Sequence, residues 1–298
     1  MALPVPGLHG AHRRSDLVAR FGATRIANAV RGGELQKLWR GVLVDPSRLL
    51  DPRTRGAAAL LSAGPRSVLT GVTAAAVHGC DAVESTTTHI LLPYGCRTRS
   101  REGLVVHHGS GFAHDVEEVD GLRVLPLDRV IADLLCGLRP QDALAVVDQA
   151  LARAREAHPV FRKQVAMRLE QRLDPRGTVR AAGLLDLASE RADSPAESWI
   201  RLLVVENGLP VPEVNWPIAD ATGREIYRLD LAWPQLRIAL EYDGIAAHAG
   251  REEHDALRRA DLTRRGWIVV VVTKEDLRSF TRVVVALRAA FATRGHTW

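Results

Sequence analysis

The feature that most constrains this chain is the stretch Arg228–Gly244, RLDLAWPQLRIALEYDG, which sets three carboxylates, Asp230, Glu241 and Asp243, inside segments that otherwise read as buried strands. An ionised carboxylate in such a place is costly unless it is paired or bound to a metal. The pattern predicts a hairpin, with a strand over Ile226–Trp233, a turn at Pro234-Gln235 and a second strand over Arg237–Asp243. Period-two alternation sets Arg228, Asp230 and Ala232 on one face of the first strand, and Arg237, Ala239, Glu241 and Asp243 on one face of the second. Leu229, Leu231, Ile238 and Leu240 fill the other face. The acids therefore converge, and two readings fit. Three hard oxygen donors suit Mg²⁺ or Mn²⁺. Alternatively, Asp230 and Glu241 form solvated cross-strand ion pairs with Arg228 and Arg237.

Composition narrows the class. A chain of 298 residues, 46% apolar and 25% charged, is long enough for two or three domains with cores of their own. It contains no run of eighteen apolar residues, and MALPVPGLHGAHRRSD has no apolar stretch suited to a signal peptide, so the expectation is a cytoplasmic protein without a membrane partner or an organic cofactor. Cys80, Cys96 and Cys136 are odd in number and widely spaced, which suggests free thiols rather than disulfides or a zinc site. The charge is unevenly placed: residues 1–48 hold eight Lys/Arg against three acids, which is the whole of the net +5. A basic module on a neutral body is the footprint of phosphate-backbone contact, so DNA is the expected partner.

In that module, Ser15-Asp16 predicts a cap for a helix DLVARF ended by Gly22, and Thr24 a cap for a second helix stopped by Gly32-Gly33. Leu35–Asp45 reads as two short strands around Arg40-Gly41. Helix, turn, helix, basic ribbon is the winged variant of a helix-turn-helix, with Arg25, Asn28 and Arg31 on the second helix and Lys37 and Arg40 on the wing as DNA-binding candidates. A helical cap with a solvated basic face fits the same pattern. The stretch VRGGELQKLWRGVLV resembles the end of the N-terminal domain of AbiEi-type antitoxins, where a Gly-x-Leu stretch is followed by Arg-Gly-Val on a wing.

From residue 53 the pattern predicts helices over Arg53–Ala63 and Val68–His78, the second capped by Thr70, then strands over His89–Pro93, Gly103–His108 and Leu122–Leu125, and helices over Arg129–Leu138 and Gln141–Arg155. The order is similar to the second domain of the same antitoxin group. His78, His89, His107, His108 and His114 lack zinc-ligand spacing and read as ordinary histidines. Helical turns over Arg162–Arg172 and Ala181–Ala192 connect to the last domain, giving expected divisions of 1–50, 51–156, 157–193 and 194–298.

The last segment reads as helix (195–207), strand (213–219), strand (226–233), strand (237–243), helix (252–265), strand (267–273) and helix (275–291). The motifs on this αβββαβα order are Asp230, Glu241-Tyr242-Asp243-Gly244, His248, Arg258-Arg259-Ala260-Asp261 and Gly266-Trp267-Ile268-Val269. They resemble a bacterial domain-of-unknown-function group related to very-short-patch-repair (Vsr) endonucleases of the PD-(D/E)xK superfamily. That resemblance covers residues 194–298 and implies a restriction-endonuclease-like fold. It also implies a Mg²⁺ or Mn²⁺ held by Asp230, Glu241 and Asp243. The superfamily lysine two positions after the acid is Asp243 here, a departure usual in the Vsr-related group. His248 is then the first candidate for general base or leaving-group acid, since imidazole titrates near neutral pH, with Lys274 a weaker substitute. Its other reading is a loop histidine without a role. Glu197 reads both as a further acid of the metal site and as the N3 residue of a capping box, Ser194-Pro195-Ala196-Glu197. Arg258 and Arg259 are candidates for phosphate contact, while Asp261 with Arg258 or Arg265 fits helix-surface pairs.

The resulting expectation is an α+β multidomain protein that binds DNA and hydrolyses its phosphodiester bonds with Mg²⁺, in repair or phage defence. The alternative is a non-catalytic DNA-binding regulator of the AbiEi kind, with a degenerate nuclease fold and a cognate toxin protein as partner.

Overall fold

The computed structural model describes residues 7–110, 114–243 and 252–296, which form a mixed α+β protein with three separate sheets. The chain divides into two compact units, one of residues up to 136 with 164–175, the other of 137–163 with 176–298.

The first unit opens with β1 (Ala11–Arg13), α1 (Arg14–Phe21), α2 (Ala23–Arg31), β2 (Gln36–Trp39) and β3 (Val42–Val44). The pattern does not predict β1, which pairs antiparallel with β3 to give the order β1-β3-β2. Leu17, Ile26, Ala29, Leu35 and Leu43 close a small core beneath the helices. The caps expected at Ser15-Asp16 and Thr24 do not form, because both helices begin earlier and neither has a side-chain cap. β1 runs directly into α1, where the Arg14 amide donates to the Gly41 carbonyl (2.9 Å). Gly22, at φ 86°, then makes the turn into α2 in a conformation that glycine alone adopts without strain.

Helix α3 (Pro52–Ala63), capped by the Asp51 carboxylate, is tied to the N-terminal sheet where Thr54 Oγ1 donates to the His9 carbonyl (2.5 Å). The second sheet holds β4 (Val68–Leu69), β5 (Thr88–Pro93), β6 (Leu104–Gly109), β7 (Glu117–Val119) and β8 (Leu122–Val124), with α4 (Gly71–Val77) and α5 (Leu127–Gly137). Its order is β6-β5-β4-β8-β7. Val68 and Leu69 therefore form the central strand rather than the start of a helix. Both are fully buried, and Leu69 is flanked by Ile90 and Val124. Thr70 stands at the N-cap of α4 without a side-chain cap bond. His89 Nδ1 lies 3.0 Å from His107 Nε2 across β5 and β6.

The second unit contains α6 (Pro140–Ala154), α8 (Thr178–Leu187), α9 (Pro195–Glu206), β9 (Glu213–Ala219), β10 (Glu225–Trp233), β11 (Ile238–Asp243), α10 (Glu252–Arg264), β12 (Ile268–Thr273) and α11 (Thr281–Thr293). Helix α7 (His158–Glu170) is divided between the units. The sheet order is β12-β11-β10-β9, with β11 and β12 parallel and the other neighbours antiparallel. α8 stops at Leu187 and not at Ala192, because Arg162 donates to the carbonyls of Leu185 and Ala188 and so satisfies the helix end. α11 starts at Thr281 and not at Glu275. Asp276 folds back to accept from Thr273 N (2.8 Å) and pairs with Arg282, which holds the intervening residues in turns.

Two apolar clusters cover the faces of this sheet. Leu231, Trp233, Ile238, Leu240 and Val272 pack with residues of α9 and α11 on one, and Ala232, Ala239, Leu262 and Trp267 pack on the other. Leu229 belongs to the second cluster, contrary to the strict alternation that grouped it with Leu231. Among the described residues, no helix is long and apolar enough to cross a membrane.

Candidate functional site

The expected hairpin forms, with Leu231 opposite Leu240 and Ala232 opposite Ala239. One step beyond the last paired residues come Asp230 and Glu241, close enough for the Asp230 charge to act on Glu241. Backbone pairing between the strands stops at Leu231 and Leu240, and the Asp230 carboxylate replaces the missing acceptor: its Oδ2 takes the Tyr242 amide at 2.8 Å. Asp230 is thus locked to the strand it faces.

Glu241 is buried, and a guanidinium from α10 covers it. Arg258 Nη1 donates to Oε2 (3.0 Å) and Nη2 to Oε1 (2.6 Å), a two-toothed contact of the strong charge-assisted type. The same Nη2 donates to the Arg228 carbonyl (2.7 Å), and the guanidinium carbon lies 5.7 Å from the Tyr227 ring centre. The cross-strand pairing of the acids with Arg228 and Arg237 does not occur. Arg228 reaches Glu225 and Asp193 at the surface, and Arg237 donates to the Arg265 carbonyl. Both are displaced because α10 lies over this face and delivers its own cation.

Burial raises the pKa of Asp230, opposed by the Tyr242 amide and by Arg258. Burial likewise raises Glu241, opposed by Arg258 and reinforced by Asp230. The two acids therefore feel one another and share one cation. Glu197 carries the same signature: burial raises it, and Asp230 adds to the rise. Its hydrogen bonds nonetheless form a capping box. Ser194 Oγ accepts from the Glu197 amide (3.3 Å) and donates to its Oε1 (2.8 Å), while Oε2 accepts from Asp193 N (3.0 Å) and Asn215 Nδ2 (2.9 Å). Asn215 sits at φ 49° in β9, a conformation asparagine tolerates well, and is a part of this arrangement that the sequence pattern does not single out.

Asp243 ends β11, exposed, opposite Thr273 of β12. Among the described residues its carboxylate has no hydrogen bond or ion pair, and no group of three or more His, Cys, Asp or Glu is placed to hold a metal. His248 and Gly244 lie outside the described residues. Arg259 is exposed on α10, and its charge lowers the Glu241 pKa. Asp261 pairs with Arg264 (2.9 Å) and Arg265 (2.8 Å), not with Arg258. The donors at the hairpin are carboxylate oxygens, the ligand type that hard divalent ions take, and in this structure Glu241 is held by Arg258 instead.

The basic candidates lie elsewhere. Arg25, Asn28 and Arg31 are exposed on α2, and Lys37 and Arg40 are exposed on the β2–β3 hairpin. Arg31 donates to Asn28 Oδ1 (2.5 Å), and Arg25 and Arg20 lie over the Phe21 ring at 5.5 and 5.3 Å from its centre. Among the described residues, none of Arg25, Arg31, Lys37 and Arg40 makes a salt bridge.

No family model matches the chain. It is 36% identical over 253 residues to the uncharacterized protein Rv2248 of Mycobacterium tuberculosis strain H37Rv, covering 84% of this chain and 89% of the relative. Uncharacterized protein MT2308 of strain CDC 1551 matches with the same figures.

Proposed function

For this chain, which belongs to the family of the Mycobacterium tuberculosis proteins Rv2248 and MT2308, we propose a DNA-binding protein whose C-terminal sheet is a divalent-metal-dependent endonuclease site of the restriction-endonuclease-like, Vsr-related kind. The observation that carries the reading is the pair Asp230 and Glu241 on neighbouring strands of a hairpin, both with pKa raised by burial, Glu241 bonded to the Arg258 guanidinium and Asp230 within reach of its charge. Asp230 and Glu241 would hold Mg²⁺ or Mn²⁺, with Asp243 at the open end of the strand as a further ligand. Bound there, such an ion activates water and neutralises charge that builds on a phosphate. Arg258 has to leave Glu241 for the ion to bind, and its guanidinium is then free to pair with a phosphodiester oxygen. His248 is assigned the proton transfer and Arg259 a backbone contact. The α1–α2 pair with its β-ribbon is read as a winged helix-turn-helix that supplies DNA affinity through Arg25, Asn28, Arg31, Lys37 and Arg40.

Titration of Mn²⁺ into the intact protein and into the Asp230→Ala/Glu241→Ala double variant, followed by incubation of both with supercoiled plasmid, tests the reading. Metal binding and nicking that vanish together in the variant are expected. Equal metal binding by the two proteins ends the enzyme reading.

A second reading is favoured by the same Arg258 contact: a guanidinium that fills the acid site permanently would leave a non-catalytic DNA-binding regulator of the AbiEi kind, with a toxin protein as partner. Its unpaired cations then carry the function. Replacing Arg25 and Arg31 by alanine should weaken DNA binding and reduce the salt slope by about 1 per lost phosphate contact.

A further inference from the structure

Gln141 of α6, Trp199, Leu202, Leu203 and Glu206 of α9, and Lys274, Leu277 and Arg278 beyond β12 line a cavity of about 330 Å³ in the second unit. Of its lining, only Lys274, the weaker substitute for His248, enters the acid-site reading. The volume falls at the small end of the roughly 300–1,000 Å³ typical of ligand pockets. Its walls divide by chemistry. Leu202 is buried and Leu203 and Leu277 are partly so, and they make an apolar floor with Trp199. The indole Nε1 of Trp199 is buried and without a hydrogen-bond partner among the described residues, while the residue as a whole is only partly covered. The indole surface it offers is therefore ring carbon and not the N–H donor. Lys274 and Arg278 are exposed, and neither has a carboxylate within salt-bridge distance among the described residues. Gln141 and Glu206 complete the rim with amide and carboxylate groups that suit the polar edge of a planar ring.

We propose that this cavity binds a nucleotide, with the base stacked on Trp199 and the phosphate held between Lys274 and Arg278. An aromatic face, an apolar floor, two cations free of ion pairs and one hydrogen-bonding edge are the parts by which proteins take up single nucleotides and unstacked bases. The excess of one positive charge over Glu206 selects an anion, and the ring platform selects a flat one. The source is a free mononucleotide or one unit of a single strand, which share this chemistry. The inference stands apart from the metal reading, because none of its residues belongs to the Asp230–Glu241 pair.

The test is calorimetric titration of the full-length protein with each deoxynucleoside 5′-monophosphate, with deoxyribose 5-phosphate, and with a short single-stranded oligonucleotide. Lys274→Glu/Arg278→Glu and Trp199→Leu serve as variants. The charge variant changes only exposed side chains, so it stays informative if the tryptophan variant fails to fold. Saturable binding of a monophosphate is expected, weakened roughly tenfold or more by either variant, with deoxyribose 5-phosphate at least as much weaker. Tighter binding of the oligonucleotide than of any monophosphate, lost in the same variants, assigns the site to a strand. The reverse order assigns it to a free nucleotide. No saturable binding of either, deoxyribose phosphate binding as well as the nucleotides, or binding untouched by the charge variant overturns the proposal.

Discussion

Among the described residues of the second unit, the carboxylate–guanidinium pairs Asp148–Arg201 and Glu241–Arg258 differ in how completely the protein has closed around them. Asp148 of α6 and Arg201 of α9 are each about 1% exposed. The Asp148 carboxylate accepts from Arg201 Nη2 (2.5 Å), Ser198 Oγ (2.5 Å) and Ser189 N (2.7 Å), so protein donors engage both of its oxygens. Glu241 and Arg258 keep side-chain exposures of 11% and 25%, and a second carboxylate, Asp230, stands beside them. The first pair is a joint between helices. The second sets two carboxylates around one bonded guanidinium and stays partly exposed. Burial raises the pKa of Asp148, Asp230 and Glu241 alike, so a raised pKa does not separate a joint from a site; closure does.

Removing one partner from each pair should break them unequally. Arg201→Leu leaves Asp148 as an uncompensated buried charge and is expected to lower unfolding free energy by about 3–5 kcal/mol, read by urea denaturation. A loss below about 1 kcal/mol would mean the joint is no stronger than a surface pair.

Arg258→Gln is expected to cost less, about 1–2 kcal/mol in metal-free buffer, because Glu241 regains contact with solvent. Adding Mn²⁺ should raise its melting temperature more than that of the unaltered protein, by the linkage between ligand affinity and stability. The Arg201→Leu loss should not respond to the ion. An identical Mn²⁺ response in both variants would erase the distinction.

The pH dependence sharpens the contrast further. With folded pKa values raised, Asp230 and Glu241 lower stability as pH climbs through the ordinary carboxylate range, because the unfolded chain releases its protons first. The decline ends once the raised folded values are passed. Asp230→Asn should make that decline shallower. Asp276 has the opposite sign: its pairing with Arg282 holds its pKa at about 2, so the stability it contributes is complete above the ordinary carboxylate range and is lost as pH falls toward that value. A fall in stability at low pH that survives Asp230→Asn and vanishes in Asp276→Asn would assign the two limbs.

The strands of the second unit were legible in the sequence, the two pairs were not, and the limits have physical reasons. The strand pattern of residues 213–273 carries strong period-two and β-branched signals, so β9 to β12 and the hairpin that carries Asp230 and Glu241 could be read directly. Arg258 as the partner of Glu241 could not: it lies 17 residues away on a helix whose seat over the sheet is set by packing of Leu262 and Trp267. Arg228 and Arg237, on the strands themselves, were nearer in sequence and the wrong partners. The central strand Val68–Leu69 was absorbed into a helical pattern because two apolar residues carry no periodicity of their own. The closed pair of Asp148 and Arg201 is equally silent, since both residues sit where an amphipathic helix ordinarily shows solvent-facing charge.

Glu197 tests where the line between joint and site falls. Electrostatically it belongs with the site, since Asp230 helps to raise its pKa. By its bonds it belongs with the joint, because Ser194, Asp193 N and Asn215 occupy both carboxylate oxygens. Ser194→Ala removes the cap and should cost about 1 kcal/mol, by urea denaturation, while leaving Mn²⁺ affinity unchanged if Glu197 is structural. A shift in Mn²⁺ affinity in that variant would instead mean that the cap holds Glu197 in readiness for the cation. The open cluster would then extend from β10 and β11 to the first turn of α9.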